Sequence, residues 1–355
     1  MRRKNRKKQN LKGMLLLLML LATFLIVSSY AWFTSNKLVK VNSINVSVQA
    51  SEGFQISVDG INWKSVINTA DLTTGTINTS YMSHDNHVPA ELVPYSTATL
   101  TDDTNGYMDM FLGTVTTDDS TGDYVFYATQ EVEDQSTTGF IAFDLFFKTS
   151  NDIDIFLEEG ANVKDIATVA TRQGKGMENS ARVAFVNQGY ISADVSANPT
   201  GSAVQALFED TLTDGSNVIV WEPNYLSHTE LAKTDIFNLY GVATDSTIWT
   251  SRIAYDGVKA DILDTAPVLL TESNSTANSG ANAAFFEPIP TGRFVTTAKV
   301  RTGSTDLGLM LNKGVTKMRI YMWLEGQDYD CTDSASGSDI AFDLILTAQK
   351  NVPTP

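Results

Sequence analysis

Along most of the chain apolar and polar side chains alternate with a period of two, the spacing that turns successive residues to opposite faces of a β-strand. Ile44, Val46 and Val48 alternate with Asn45, Ser47 and Gln49, and Phe54, Ile56 and Val58 carry the pattern to Asp59-Gly60, a dipeptide that favours a tight hairpin turn. The same pattern predicts strands over residues 107–115, 124–129, 140–149, 153–157, 181–186, 217–221, 293–300, 318–325 and 340–348. Clusters of Ser, Thr, Asp, Asn and Gly such as TTDDSTGD and NSTANSGANA separate these runs and read as loops. Helical spacing is confined to residues 202–208 and 227–233. Many short strands joined by polar loops predict an all-β fold, an antiparallel β-sandwich of jelly-roll type with long loops and a few short helices.

Two details refine this picture. The string IAFDL occurs at residues 141–145 and again at 340–344, so Ile141, Phe143 and Leu145 are expected to fill a central place comparable to that of Ile340, Phe342 and Leu344. Strand pattern alone also accounts for the echo. In addition, the apolar parity flips between Val41 and Ile44, which predicts that residues 32–41 do not continue the Ile44 strand in one sheet without a bulge or break.

The first residues depart from the β pattern. Arg2, Arg3, Lys4, Arg6, Lys7, Lys8 and Lys12 precede an uncharged run from Met14 to Val27. Those 14 residues are short for a spanning helix, which needs about 20, and they have the form of a signal peptide. Ser29 and Ala31 supply the small-x-small pattern a signal peptidase requires, which places the cut between Ala31 and Trp32. An uncut leader anchoring the protein to the outer face of a membrane is the alternative. The expected organisation is a signal peptide over residues 1–31, an N-terminal arm over 32–43, a β-domain over 44–350 and a tail over 351–355.

Composition then restricts the function. The full chain carries a net charge of -16, and because all seven leader charges are positive the mature chain stands at -23. With no basic patch for phosphate, nucleic-acid binding is excluded, and membrane contact is expected only through the leader. Cys331 is the single cysteine, so no intramolecular disulfide can staple this exported chain and its stability must come from a core. The C-terminal AQKNVPTP has neither an LPxTG-type motif nor an apolar tail, so retention by a sortase is not expected.

Catalytic signals are sparse. The histidines are His84, His87 and His228; HDNH at residues 84–87 sits in a loop-like context, and no HExxH motif exists. Cys331 would need a histidine brought close by folding to act as a nucleophile. The densest polar constellation, WLEGQDYDCTDSASGSD, sets Glu325, Asp328, Asp330, Asp333 and Asp339 within fifteen residues. It reads either as a solvated acidic loop or as a calcium site, since calcium takes six to eight hard oxygens and tolerates irregular geometry, although the EF-hand spacing is missing. Otherwise no cofactor is expected.

The leader with its SYA cut before an aromatic residue, the arm WFTSNKLVKV and the β-rich body resemble the exported biofilm-matrix fibre proteins of Gram-positive bacteria, the TasA and camelysin group. The segments FQISVDGINW, GFIAFDLFFKTSNDIDIFL, ARVAFVNQG and RIYMWLEGQDYDC are also similar to large clostridial proteins with such leaders. The resemblance implies a jelly-roll subunit, cut by a signal peptidase of the SipW kind, that polymerises by donating its N-terminal strand to the next copy and meets other matrix components. Trp32, Phe33, Leu38, Val39 and Val41 would carry that strand. Two alternatives accompany it: a monomeric adhesin exposing Trp63, Trp221, Tyr225 or Trp249, and a camelysin-like metalloprotease using His84, His87 and loop carboxylates.

Overall fold

In the computed structural model the described residues are 38–49, 53–73, 86–98, 108–133, 139–158, 160–168, 170, 173–192, 203–204, 218–234, 256–269, 284–289, 293–296, 300–301, 304–332 and 337–350. In chain order the strands are β1 (Val39–Val48), β2 (Gln55–Ser57), β3 (Val66–Asn68), β4 (Glu91–Leu92), β5 (Pro94–Ser96), β6 (Met110–Thr117), β7 (Tyr124–Glu131), β8 (Ile141–Thr149), β9 (Ile153–Glu158), β10 (Asn162–Asp165), β11 (Ala181–Ser192), β12 (Val218–Glu222), β13 (Asp256–Val258), β14 (Val268–Leu269), β15 (Phe286–Pro288), β16 (Phe294–Thr296), β17 (Val300–Arg301), β18 (Ser304–Leu311), β19 (Gly314–Glu325) and β20 (Asp339–Lys350). A short helix α1 (Thr69–Thr73) follows β3; Asn68 caps it, its side-chain oxygen accepting from the amides of Ala70 and Asp71. The fold is all-β.

Two large sheets face each other. One runs β17-β18-β9-β20-β1-β3, with β10 also on β20 and β4 on β1. The other runs β14-β7-β6-β5-β19-β11-β12-β16, with β8 on β19 and β2 on β8. Between them lies the main core, where Ile44 and Val46 of β1 and Phe342 and Leu344 of β20 meet Phe143 and Leu145 of β8 and Ile320 and Met322 of β19. The two IAFDL strands therefore do hold comparable places: each is an interior strand of its sheet, and Ile141, Phe143, Leu145, Ile340, Phe342 and Leu344 all enter the same core.

The second sheet is buried on both faces. Its outward-facing Ala142, Ala184, Val220, Tyr321 and Trp323 pack under Tyr95, Met110, Phe140 and Phe294 in a second apolar cluster. A third cluster joins the β6-β7 hairpin to Val258, Val268 and Phe286. Every residue of β19 is consequently buried, Lys317 and Arg319 included.

The sheets are mixed, which the expectation of a purely antiparallel sandwich did not include. β1 runs parallel to β20, β12 to β16 and β5 to β19. The alternation of side chains fixes which face of a strand is buried and carries no information about strand direction.

The N-terminal boundary also moves. β1 begins at Val39, inside the segment expected as a separate arm, and a register shift between Val41 and Ser43 absorbs the parity flip. The extra residue lets Val39 on one side of the bulge and Ile44, Val46 and Val48 on the other face the same core. Trp32 and Phe33 lie outside the described residues, as does the leader; Leu38 is half exposed, and Val41 packs partly against the core. The turn at Asp59-Gly60 is wider than a two-residue hairpin: Ile56 bridges Lys64, and the Asp59 carboxylate accepts from the amides of Ile61 and Asn62. Most of the helical stretch at 202–208 lies outside the described residues, and helix at the second stretch is observed at 230–234 after a 3₁₀ turn Tyr225–Ser227.

Candidate functional site

Where β19 ends, the chain turns back under itself. Tyr95 O accepts from Gly326 N at 2.8 Å, Glu325 O from Asp328 N at 3.1 Å and Asp328 O from Cys331 N at 2.9 Å. These bonds direct the carboxylates inward, so Glu325 and Asp328 are fully buried and Asp330 is 2% exposed. The reading of this stretch as a solvated acidic loop is therefore corrected: its first three carboxylates belong to the interior. Asp333 lies outside the described residues, and Asp339, partly exposed at the start of β20, is not part of the group.

The neighbouring strands supply the opposite charge. Arg182 of β11 donates to Asp328 Oδ2 at 2.6 Å and pairs with Glu222 Oε1 of β12 at 3.1 Å, while its other terminal nitrogen bonds the carbonyls of Asn179 and Ala181. His228 bridges Glu222 Oε1, 3.0 Å from Nε2, and Asp330 Oδ2, 2.9 Å from Nδ1. Asp330 also accepts from Asn179 Nδ2, Thr229 N and the Thr229 hydroxyl. Arg182, Glu222, Asp328 and His228 have no exposed side-chain surface, and buried charges persist only when paired in this way.

Burial alone would lower the His228 pKa, but Asp328 beside it and the bonds to Asp330 and Glu222 outweigh that and push it up to about 10. Burial raises Asp328 to about 6 against the pull of His228 and Arg182, and raises Glu325, which accepts from Trp323 Nε1, to about 7. Asp330 goes the other way; its bonds to His228, Thr229 and Asn179 overcome burial and lower it.

Glu222, His228 and Asp328 bring ligand-type atoms within 4.8 Å of one another, close enough for a metal ion. The charge they require is already present. The Arg182 guanidinium lies between Glu222 and Asp328, and both imidazole nitrogens of His228 face carboxylate oxygens, so an ion would have to displace the chain's own cations. This donor set fits a closed ion-pair network better than a metal centre.

A second buried cluster lies on the same outward face of this sheet, beside the β8-β19 pair. Arg319 of β19 bonds Glu133, Asn86 and Asp144 of β8, and the Tyr321 hydroxyl donates to Glu133 at 2.9 Å. Lys317 Nζ stands 3.5 Å from Asp144 Oδ2. His87 joins this cluster, 3.9 Å from Glu133 and edge-on to Phe140; His84 lies outside the described residues. Cys331 is fully buried, and that burial, with Asp328 and Glu325 nearby, raises its thiol well above the ordinary value, the reverse of an activated nucleophile. Of the aromatics an adhesin would display, Trp221 and Tyr225 are buried, Trp63 is partly buried beneath Lys148, and Trp249 lies outside the described residues.

Sequence reading missed Arg182, Glu222 and His228 because each sits in a different strand or turn with nothing local to mark it. The available signal was charge inside otherwise apolar runs: Arg182 in ARVAFV, Glu222 after VIVW, Lys317 and Arg319 in KMRIYMW. Among the described residues no helix is long and apolar enough to cross a membrane. No protein family, no curated protein and no solved structure matches this chain.

Proposed function

We propose that this protein is an exported structural subunit, of jelly-roll type, that is cut between Ala31 and Trp32 and polymerises outside the cell into surface or biofilm-matrix fibres by passing its N-terminal strand to the next copy. It is not an enzyme in this reading; its partners are further copies of itself, the signal peptidase and other matrix components, and calcium is not required. One observation carries the proposal. β1, the first of the described strands and one that begins within the expected arm, is an interior strand of its sheet, held along β20 on one side and β3 and β4 on the other, with Val39, Ile44 and Val46 fully buried. A terminal strand that completes a sheet can be supplied by a neighbour through the same main-chain bonds and side-chain positions, and head-to-tail repetition of that exchange builds a filament.

Negative-stain electron microscopy of protein beginning at Trp32, concentrated with and without calcium, is the test. Regular filaments in both conditions are expected, and removal of residues 32–41, which takes away the arm and the start of β1, should suppress them. Monomers at every concentration would overturn the proposal.

A further inference from the structure

On the outer face of the second sheet, β8 and β19 pair antiparallel with Asp144 opposite Arg319 and Phe146 opposite Lys317. This register makes Asp144 and Lys317 diagonal neighbours on one face, within reach of a lysine side chain. Both side chains have no exposed surface, and Lys317 Nζ lies 3.5 Å from Asp144 Oδ2. Apolar residues flank the pair on this face, Phe146, Val204 and Val315 in one cluster and Ala142, Phe140 and Tyr321 in another, while Arg319 holds the other Asp144 oxygen. An ammonium and a carboxylate are rarely kept this dry. The desolvation of both ions weighs against their attraction, and a neutral covalent product would escape it.

We propose that Lys317 and Asp144 condense into an intramolecular isopeptide bond that cross-links β8 to β19. The ammonium of Lys317 passes a proton to Asp144 Oδ2, leaving a neutral amine facing a carboxylic acid. Nζ then attacks Cγ, and the developing negative charge on Oδ1 is met by Arg319, whose terminal nitrogen donates to that same oxygen at 3.1 Å. A second proton moves from Nζ to Oδ2, the Cγ–Oδ2 bond breaks, and water leaves. One amide replaces one ammonium and one carboxylate, with no oxidant or co-reactant. Burial supports the first step by lowering the Lys317 pKa, although Asp144 opposes it and Arg319 adds to it. The fixed geometry of two neighbouring strands supplies the proximity that makes such a condensation fast. Arg319 is thereby held by Glu133 as a positioning partner, and the Arg319 and Glu133 charges remain balanced after the reaction.

Intact-mass spectrometry of the purified, denatured chain tests this, with its first residue determined separately. The expected mass is one water below that of the sequence, and a proteolytic map should contain a branched peptide joining Asp144 to Lys317. Asp144→Ala and Lys317→Arg, each lacking one of the two reacting groups, should both return the full mass of their own sequences. The measurement on the natural chain needs no variant to fold. A natural chain of full sequence mass with separate Asp144 and Lys317 peptides would overturn the proposal.

Discussion

The Arg182 guanidinium is shared by Glu222 and Asp328 in a place water does not reach, so removing it leaves two buried carboxylates with only His228 opposite them. Arg182→Met is expected to cost about 3–5 kcal/mol in urea unfolding. Asp343→Asn removes a bond to Lys164 on the outer face of the first sheet, where both side chains remain partly exposed, and should cost only about 0–1 kcal/mol. The same network sets a pH dependence of unusual sign. His228 binds its proton more tightly folded, at about 10, than at its ordinary 6.5, so it stabilises the fold below 6.5 and withdraws that contribution as pH rises to about 10. Glu325 and Asp328, raised from 4.5 to about 7 and from 3.8 to about 6, likewise favour folding at low pH and lose that advantage as pH climbs through those values. Asp330, Asp71 and Asp343 are depressed below 3.8 and withdraw stability only in stronger acid. Tm should therefore peak at about pH 4 and fall on the alkaline side, first as Glu325 and Asp328 ionise and then as His228 loses its proton. His228→Gln should flatten the fall between 6.5 and 10; an unchanged slope would show that His228 is not the titrating group.

At the scale of elements, alternation was enough to locate β8, β9, β11, β12, β19 and β20 and to identify which side chains of the repeated IAFDL enter the core. Phe143→Ala and Phe342→Ala, one on each sheet, should each cost about 3–5 kcal/mol, because both rings are fully buried in the shared core. The outward residues of β8 and β19 were legible only as an anomaly. A second face buried under another layer turns polar positions into interior ones, and a pattern of period two cannot distinguish a solvated face from a face with charges paired beneath a lid. Strand direction and the β1 bulge were hidden for a related reason, since both depend on which distant segment lies alongside. One close approach is also invisible in sequence: a Cβ on Gly257 of β13 would meet the Thr97 carbonyl oxygen at 2.2 Å. Gly257→Ala is expected to push β13 off that backbone and destabilise the fold by about 1–3 kcal/mol in the same unfolding assay.

For the whole molecule the decisive issue is whether β1 stays in its own sheet. Asn45 and Asp343 are partners in the parallel β1-β20 ladder, and their side chains already touch, Asn45 Nδ2 donating to Asp343 Oδ1 at 2.9 Å. Cysteines at both positions would face each other on the outer side of the sheet, away from the buried Cys331. Oxidised as a monomer, the double variant has β1 locked to its own β20 and cannot pass the strand on, so it should stay monomeric at concentrations where the reduced form builds filaments. Oxidised after assembly, the same pair should join β1 of one copy to β20 of the next, giving a ladder of covalent multimers on a denaturing non-reducing gel. Side-by-side packing of intact subunits predicts the opposite in both arms: the locked monomer would still assemble, and oxidation of the filament would yield only internally bridged single chains. Strand exchange and surface packing are thus separated by when the disulfide is closed, in one variant whose core contacts are untouched.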